Sequence, residues 1–187
     1  MASIEELRSA RLQKIEKLKG AGMNPYPNSV PRTHSIKEVK ENFESLSKNN
    51  GDVSIAGRVM ITRGQGAILF IVIQDGSSRF QAVLKKDELK EEVFNLFVDT
   101  VDNGDFISVT GTLFVTARGE ESILIKDWQM ATKALLPLPD KWHGLQDVEE
   151  TYRKRYLDIA MDEKVYARFE IRSKVIKAIR SFLDNKN

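Results

Sequence analysis

Three runs of alternating residues between Val53 and Lys85 constrain the fold of this chain more than any other feature. The first run starts at Val53, the second is Ile68–Asp75 and the third is Arg79–Lys85. In the first and third runs apolar residues recur at every second position, which is the period of a half-buried β-strand. We therefore expect three consecutive strands, and we assign Gly64-Gln65-Gly66 to the first turn rather than to a phosphate loop.

The turn at Gly76-Ser77 sets the register between the second and third strands. If Asp75 pairs with Ser78, one face of the hairpin is fully apolar. Its pairs are Ile73 with Phe80, Ile71 with Ala82, and Leu69 with Leu84. Phe70 then lies on the opposite face, diagonal to Gln81, and the period predicts that it is exposed. Packing of Phe70 under another element, such as the N-terminal helix, is the alternative.

The first strand shows strict alternation. One face carries Val53, Ile55, Gly57, Val59 and Ile61, and the other carries Ser54, Ala56, Arg58, Met60 and Thr62. Arg63 ends the strand, where its charge could reach a phosphate or a base edge.

Further elements complete a recognisable order. A helix is predicted over 87–98, capped by Asp87. Its buried stripe is Leu89, Val93, Leu96 and Phe97. A fourth strand follows from Phe106 to about Val115, and a fifth is Ser122–Met130. Three strands, a helix and two strands are the order of an OB fold, a five-stranded barrel that binds oligonucleotides on its second and third strands.

Helices are also expected outside the barrel. Residues 3–19 begin with a capping box formed by Ser3 and Glu6, and a second short helix follows Thr33-His34-Ser35. The first helix carries a basic ridge, which is either a solvated face or a phosphate contact. The ridge is Arg8, Arg11, Lys14 and Lys17. Near the other end of the chain, Val165–Leu183 is predicted to be an amphipathic helix.

The composition excludes several kinds of catalytic and metal-binding site. The chain has 187 residues, of which 41% are hydrophobic and none is cysteine, so disulfides, thiol catalysis and cysteine-based zinc sites are excluded. The net charge of +2 means that contact with nucleic acid must come from a local basic patch. The longest apolar run, 67–73, is too short to cross a bilayer, and we expect a cytoplasmic protein without membrane contact.

No catalytic or metal-binding constellation is present in the sequence. His34 and His143 are the only histidines, and neither has metal-ligand spacing to another ligand. There is no P-loop and no nucleophile elbow. We therefore expect no catalytic and no metal site, but a binding surface. An exposed Phe70 could stack on an unpaired base, and the amide of Gln81 could bond to the edge of that base.

Two segments after the barrel carry a family resemblance. Residues 135–147 read LLPLPDKWHGLQD, and residues 152–158 read YRKRYLD. They resemble the junction motifs of class II lysyl-tRNA synthetases. Residues 56–60, 111–114 and 119–120 are similar to the barrel strands of that family. Phe169–Leu183, with Arg172-Ser173, resembles the helix of class II motif 1, which contributes to the dimer interface in the family.

The resemblance implies a domain order and a site. It implies an N-terminal helical extension (1–50), an anticodon-binding OB domain (51–133), a junction (134–160) and the truncated start of a class II catalytic domain (161–187). Arg63, Phe70 and Gln81 reproduce the spacing of three family residues that contact the central uridine of the anticodon. Glu120 matches a glutamate implicated in anticodon recognition.

The resemblance also implies what the whole enzyme would use. A full-length lysine–tRNA ligase joins lysine to its tRNA with ATP and Mg²⁺, and is expected to be a homodimer. Motifs 2 and 3, which bind ATP and lysine, are missing from these 187 residues. We expect the chain to bind the anticodon loop of lysine tRNA without activating lysine. The alternative is a non-catalytic OB module that binds single-stranded nucleic acid.

Overall fold

The computed structural model describes residues 3–49, 51–64, 66–139 and 147–186. The chain divides into two compact units, residues 1–137 and residues 138–187. The helices of the first unit are α1 (Ile4–Gly20), α2 (Ile36–Glu41), α3 (Phe43–Lys48) and α4 (Glu91–Thr100). Its strands are β1 (Val53–Arg63), β2 (Ile68–Gln74), β3 (Arg79–Lys85), β4 (Phe106–Val115) and β5 (Glu121–Thr132). The second unit contains α5 (Val148–Arg153), α6 (Arg155–Met161) and α7 (Glu163–Asp184).

The five strands close into a barrel in the order β1-β2-β3-β5-β4, with β4 returning to pair with β1. All pairs are antiparallel except β3 with β5, which is parallel. Alternate side chains of every strand point inward and form one buried apolar core. Its members include Ile55, Val59, Ile71, Ile73, Leu84, Ile107, Val109, Ile123 and Ile125. The predicted five strands and their order are confirmed.

The predicted register of the β2–β3 hairpin is also confirmed. Ile73 pairs with Phe80, Ile71 with Ala82, and Leu69 with Leu84. All six of these side chains are buried. Phe70 pairs with Val83, and Val72 pairs with Gln81, so Phe70 and Gln81 are diagonal neighbours on the outer face.

The strict alternation expected for β1 is wrong after Val59. Val59 pairs with Ile73, but Ile61 pairs with Val72, the next residue on β2 in the reverse direction. Met60 is therefore an extra residue, a β-bulge, and it reverses which face each later residue of β1 occupies. Val59 is fully buried whereas Ile61 is only partly buried. The bulge lies where β1 leaves β4, at the point where closing the barrel requires the strand to bend.

The helix between β3 and β4 starts later than expected. Lys86–Glu88 form a 3₁₀ turn, the next two residues are extended, and α4 begins at Glu91, so the cap expected at Asp87 is wrong. Two glutamates in the first turn of α4 favour this start, because carboxylates stabilise the positive end of the helix dipole. The stripe that packs on the barrel is centred on Phe94 and Phe97.

A buried ion cluster holds the end of β5 against the turn before β4. The ammonium group of Lys133 has no exposed area, and it donates to Asp105 at 2.6 Å and to Asp102 at 2.5 Å. The other oxygen of Asp105 accepts from the backbone N–H of Ala134 at 2.8 Å. Each buried charge thus has partners, which a charge inside a protein requires.

The basic ridge of α1 contacts this same region of the chain. Lys14 donates to Asp102 at 2.6 Å, and Lys17 pairs with Asp99 on α4 at 3.2 Å. Arg11 donates to three backbone carbonyl groups. These are Asn103 at 3.2 Å, Ala134 at 3.0 Å and Leu136 at 2.8 Å. Three of the four ridge residues therefore stabilise the fold of the first unit, which neither sequence interpretation foresaw.

The second unit contains the predicted amphipathic helix, α7. Val165 is buried, and the guanidinium group of Arg155 lies over the rings of Tyr152 and Phe169, 4.7 Å and 5.8 Å from their centroids. The predicted junction motif lies partly outside the described residues, since 140–146, including His143, are among those left out. No helix in the described part of the chain has the length and apolarity needed to cross a membrane.

Replacing Lys133 by methionine should lower the free energy of unfolding by about 3–5 kcal/mol, because two carboxylates lose their buried partner. Urea denaturation would measure this. The control is Lys126→Met, since Lys126 pairs with Asp52 at the exposed surface, and a loss of no more than about 1 kcal/mol is expected. Equal losses in the two variants would contradict the role given to the cluster.

The cluster of Lys133, Asp102 and Asp105 should also make the free energy of unfolding depend on pH. Burial raises the pKa of Asp102, but hydrogen bonds from Lys133 and Lys14 outweigh it and hold the pKa below its usual value. This stabilisation is therefore complete above the pKa of an unfolded aspartate, about 3.9, and is lost as the pH falls through the lower folded value. Asp102→Asn should be less stable than the unchanged chain at pH 7, with a difference that shrinks as the pH falls below the pKa of an unfolded aspartate. A constant difference in urea titrations would refute this.

Candidate nucleic-acid interface

The outer face of β2 carries an exposed apolar strip. Phe70 is 39% exposed, and Ile68, on the same face, is 41% exposed. The exposure of Phe70 predicted from the strand period is therefore confirmed. Val83, directly opposite Phe70 on β3, shares this face and is buried at 1%.

Arg63 lies directly opposite Phe70 across the β1–β2 pair. Side chains at opposed positions of two strands share a face, with Cβ atoms about 4.5–5.5 Å apart. The bulge at Met60 places Arg63 on the same face as Phe70, because strict alternation would have pointed Arg63 toward the core side. An exposed guanidinium group and an exposed aromatic ring are therefore neighbours on one surface.

The amide of Gln81 stands on the other side of Phe70. Gln81 is half-buried, and its Nε2 donates to the hydroxyl of Ser122 at 2.8 Å. The two residues are partners in the parallel β3–β5 pair, and Ser122 is fully buried. Ser122 was missed from the sequence, because nothing in the spacing of the strands predicts that β3 and β5 are parallel neighbours.

Glu120 belongs to the turn between β4 and β5. Its N–H donates to the hydroxyl of Thr116 at 3.0 Å, and its carbonyl accepts from the N–H of Thr116 at 2.9 Å. Gly119 supplies the left-handed conformation of this turn, with φ of 83°. The hydroxyl of Ser122 also donates to the carbonyl of Glu120 at 3.2 Å. The backbone of Glu120 is thus connected to Gln81, while its carboxylate is exposed.

The four predicted site residues therefore lie along one path over β1, β2, β3 and the start of β5. Further basic groups border the path. Arg79 donates to Gln74 at 2.9 Å, and the ammonium of Lys85 lies 5.9 Å from the centre of the Phe114 ring. Arg63, Arg79 and Lys85 thus place basic side chains along this path.

The hairpin that carries this face is fixed to α2. Asp75, in the β2–β3 turn, accepts from the N–H of Ile36 at the start of α2 and from the N–H groups of Ser77 and Ser78. Burial raises the pKa of Asp75, but these hydrogen bonds and that of the Ser77 hydroxyl prevail, so its pKa lies below the usual value. The carboxylate therefore stays charged near neutral pH and holds the hairpin in place.

The surface has the properties of a platform for an unpaired base. A flat ring, an amide with both donor and acceptor atoms, and a guanidinium group suit a base face, a base edge and a phosphate, respectively. Among the residues described, no group of three or more histidine, cysteine, aspartate or glutamate side chains is arranged to hold a metal ion.

Comparison with known proteins finds a matching family for the barrel. Residues 53–131 match the tRNA anti-codon family, described as an OB-fold nucleic acid binding domain. Along 98% of its length the chain is similar to lysine–tRNA ligases. It is 42% identical to that of Carboxydothermus hydrogenoformans over 183 residues, 40% to that of Thermosipho melanesiensis over 187, and 38% to that of Halalkalibacterium halodurans over 188.

The similarity covers a limited part of those relatives. The chain spans about 37% of the length of each of these three proteins. Residues 53–131 are therefore similar to the tRNA anti-codon family of OB-fold nucleic acid binding domains, in a chain that is similar to part of the lysine–tRNA ligases along nearly its whole length.

Proposed function

We propose that this chain recognises the anticodon loop of lysine tRNA as part of a lysine–tRNA ligase. The observation that carries the proposal is the exposed Phe70, which stands between Arg63 and Gln81 on the outer face of an anticodon-family OB domain. This is the face of β2 and β3 on which OB folds bind oligonucleotides.

Each of the three side chains has a distinct task in this proposal. Stacking on Phe70 holds the central base of the anticodon and is worth about 1–3 kcal/mol, whatever the base is. Gln81 selects uridine through its base edge, and Arg63 binds the adjoining phosphate. Because stacking alone does not discriminate, selectivity belongs to Gln81. Glu120 contacts a neighbouring anticodon base from the edge of the face.

The whole protein, in this proposal, is a class II enzyme that attaches lysine to its tRNA, acting in the cytoplasm as a homodimer. Residues 1–50 form the N-terminal extension, 51–133 the anticodon-binding domain, 134–160 the junction and 161–187 the start of the catalytic domain. ATP and Mg²⁺ act in the whole enzyme. We assign the 187 residues recognition of RNA and no catalytic step.

The proposal predicts a preference for uridine at the centre of the anticodon. The 187-residue chain should bind an RNA stem-loop with central uridine more tightly than stem-loops with another central base, by about 1–3 kcal/mol for a two-bond contact. Fluorescence anisotropy titrations of loops differing at that one base would measure this. Equal affinities would instead favour an OB module that binds single strands without sequence preference.

Phe70→Ala should weaken binding of the uridine stem-loop by about 1–3 kcal/mol, because the stacking surface is removed. The thermal midpoint should change little, since the ring is partly exposed in the free chain. Val98→Ala, which removes an exposed apolar side chain from α4, is the matched control and should leave affinity unchanged. Undiminished binding by the Phe70 variant would eliminate the stacking role.

A further inference from the structure

A short chain of hydrogen bonds lies directly beneath the proposed contact with the base. The hydroxyl of Ser122 is 2.8 Å from Nε2 of Gln81 and 3.2 Å from the carbonyl oxygen of Glu120. Ser122 is fully buried, so no solvent competes for its hydroxyl. The hydroxyl thus connects the backbone of the β4–β5 turn to a side chain on β3.

The chemistry of the three groups fixes the direction of both bonds. A backbone carbonyl can only accept, so in the contact with Glu120 the Ser122 hydroxyl donates its single proton. The hydroxyl can then only accept from Gln81. In this arrangement the amide of Gln81 turns its NH₂ group toward Ser122.

The fixed amide presents a defined pattern to a ligand, namely its carbonyl oxygen and its second N–H. Uracil offers a donor at N3 and an acceptor at position 4, whereas cytosine offers an acceptor at N3 and a donor at position 4. A base stacked on Phe70 has its edge fixed in plane, so an amide turned through 180° would suit cytosine in place of uracil. The orientation of Gln81 thus decides which pyrimidine fits.

We infer that Ser122 is a positioning residue, which fixes the orientation of the Gln81 amide and thereby makes the site selective for uracil over cytosine. This inference rests on the proposed function, since it requires that Gln81 contact a base. It also gives Glu120 a second role, through its backbone carbonyl. That carbonyl is held in place by the N–H of Thr116. The turn between β4 and β5 thus positions the group to which the Ser122 hydroxyl donates.

Ser122→Ala removes the acceptor and allows the amide to rotate. The ratio of affinities for stem-loops with central uridine and central cytidine should fall about tenfold, the effect of one well-placed hydrogen bond. Stacking on Phe70 is retained, so the variant should still bind both loops. Ser122→Thr keeps a hydroxyl and should keep most of the selectivity. Ser108→Ala removes another buried serine hydroxyl, one that bonds to Pro31 on the β4 side, and should leave the ratio unchanged.

A double-mutant cycle separates a positioning role from a general effect on the fold. If Ser122 acts only through Gln81, the variant with both Gln81→Ala and Ser122→Ala should show the same ratio as Gln81→Ala alone. Should Ser122→Ala not fold, the side-chain amide protons of Gln81 in the unchanged chain provide the test by NMR. One of them should be protected from exchange, since it is bonded to a buried hydroxyl.

The outcomes are distinguishable from failure of the proposed function. A ratio lowered by Gln81→Ala but unchanged by Ser122→Ala would overturn the positioning role and leave the proposed function intact. Equal exchange of both Gln81 amide protons would overturn it as well. If the unchanged chain shows no preference for uridine at all, the proposed function fails first, and the inference about Ser122 fails with it.

Discussion

The buried ammonium group of Lys133 is the interaction on which the rest of the first unit depends. It holds the 102–105 turn by bonding to Asp102 and Asp105. The backbone of that turn bonds to Val59 on both sides, since Val59 donates to Asp105 at 2.8 Å and accepts from Gly104 at 2.7 Å. The strand is thus fixed one residue before the bulge at Met60. The ion cluster therefore supports the turn that holds β1 just before the bulge.

The proposed binding face combines exposed groups with buried supports. Phe70 is exposed but lies opposite buried Val83, and Gln81 is half-buried and bonded to buried Ser122. Such supports matter because a flexible side chain loses rotamer entropy when it binds, and one already held loses less. The same logic applies to the hairpin as a whole, which the carboxylate of Asp75 attaches to the start of α2.

Much of the barrel could be read from the sequence because strands with one buried face have a strict period. The hairpin register, the five strands and their order followed from alternation and from short turns. The start of α4 did not, because Asp87 resembles a cap while Glu91 and the burial of Phe94 and Phe97 decide where the helix forms. The basic ridge of α1 was also ambiguous, since a sequence does not show which carboxylates meet it.

The sequence by itself determined that Phe70 and Gln81 share the outer face of one hairpin, because both strands and the turn between them are local. The tertiary structure alone decided that Arg63 joins them, because the bulge arises from pairing β1 with both β4 and β2. It also decided the orientation of Gln81, because Ser122 reaches it only through the parallel pairing of β3 with β5. Contacts between distant strands depend on barrel closure, which no periodicity within a single strand encodes.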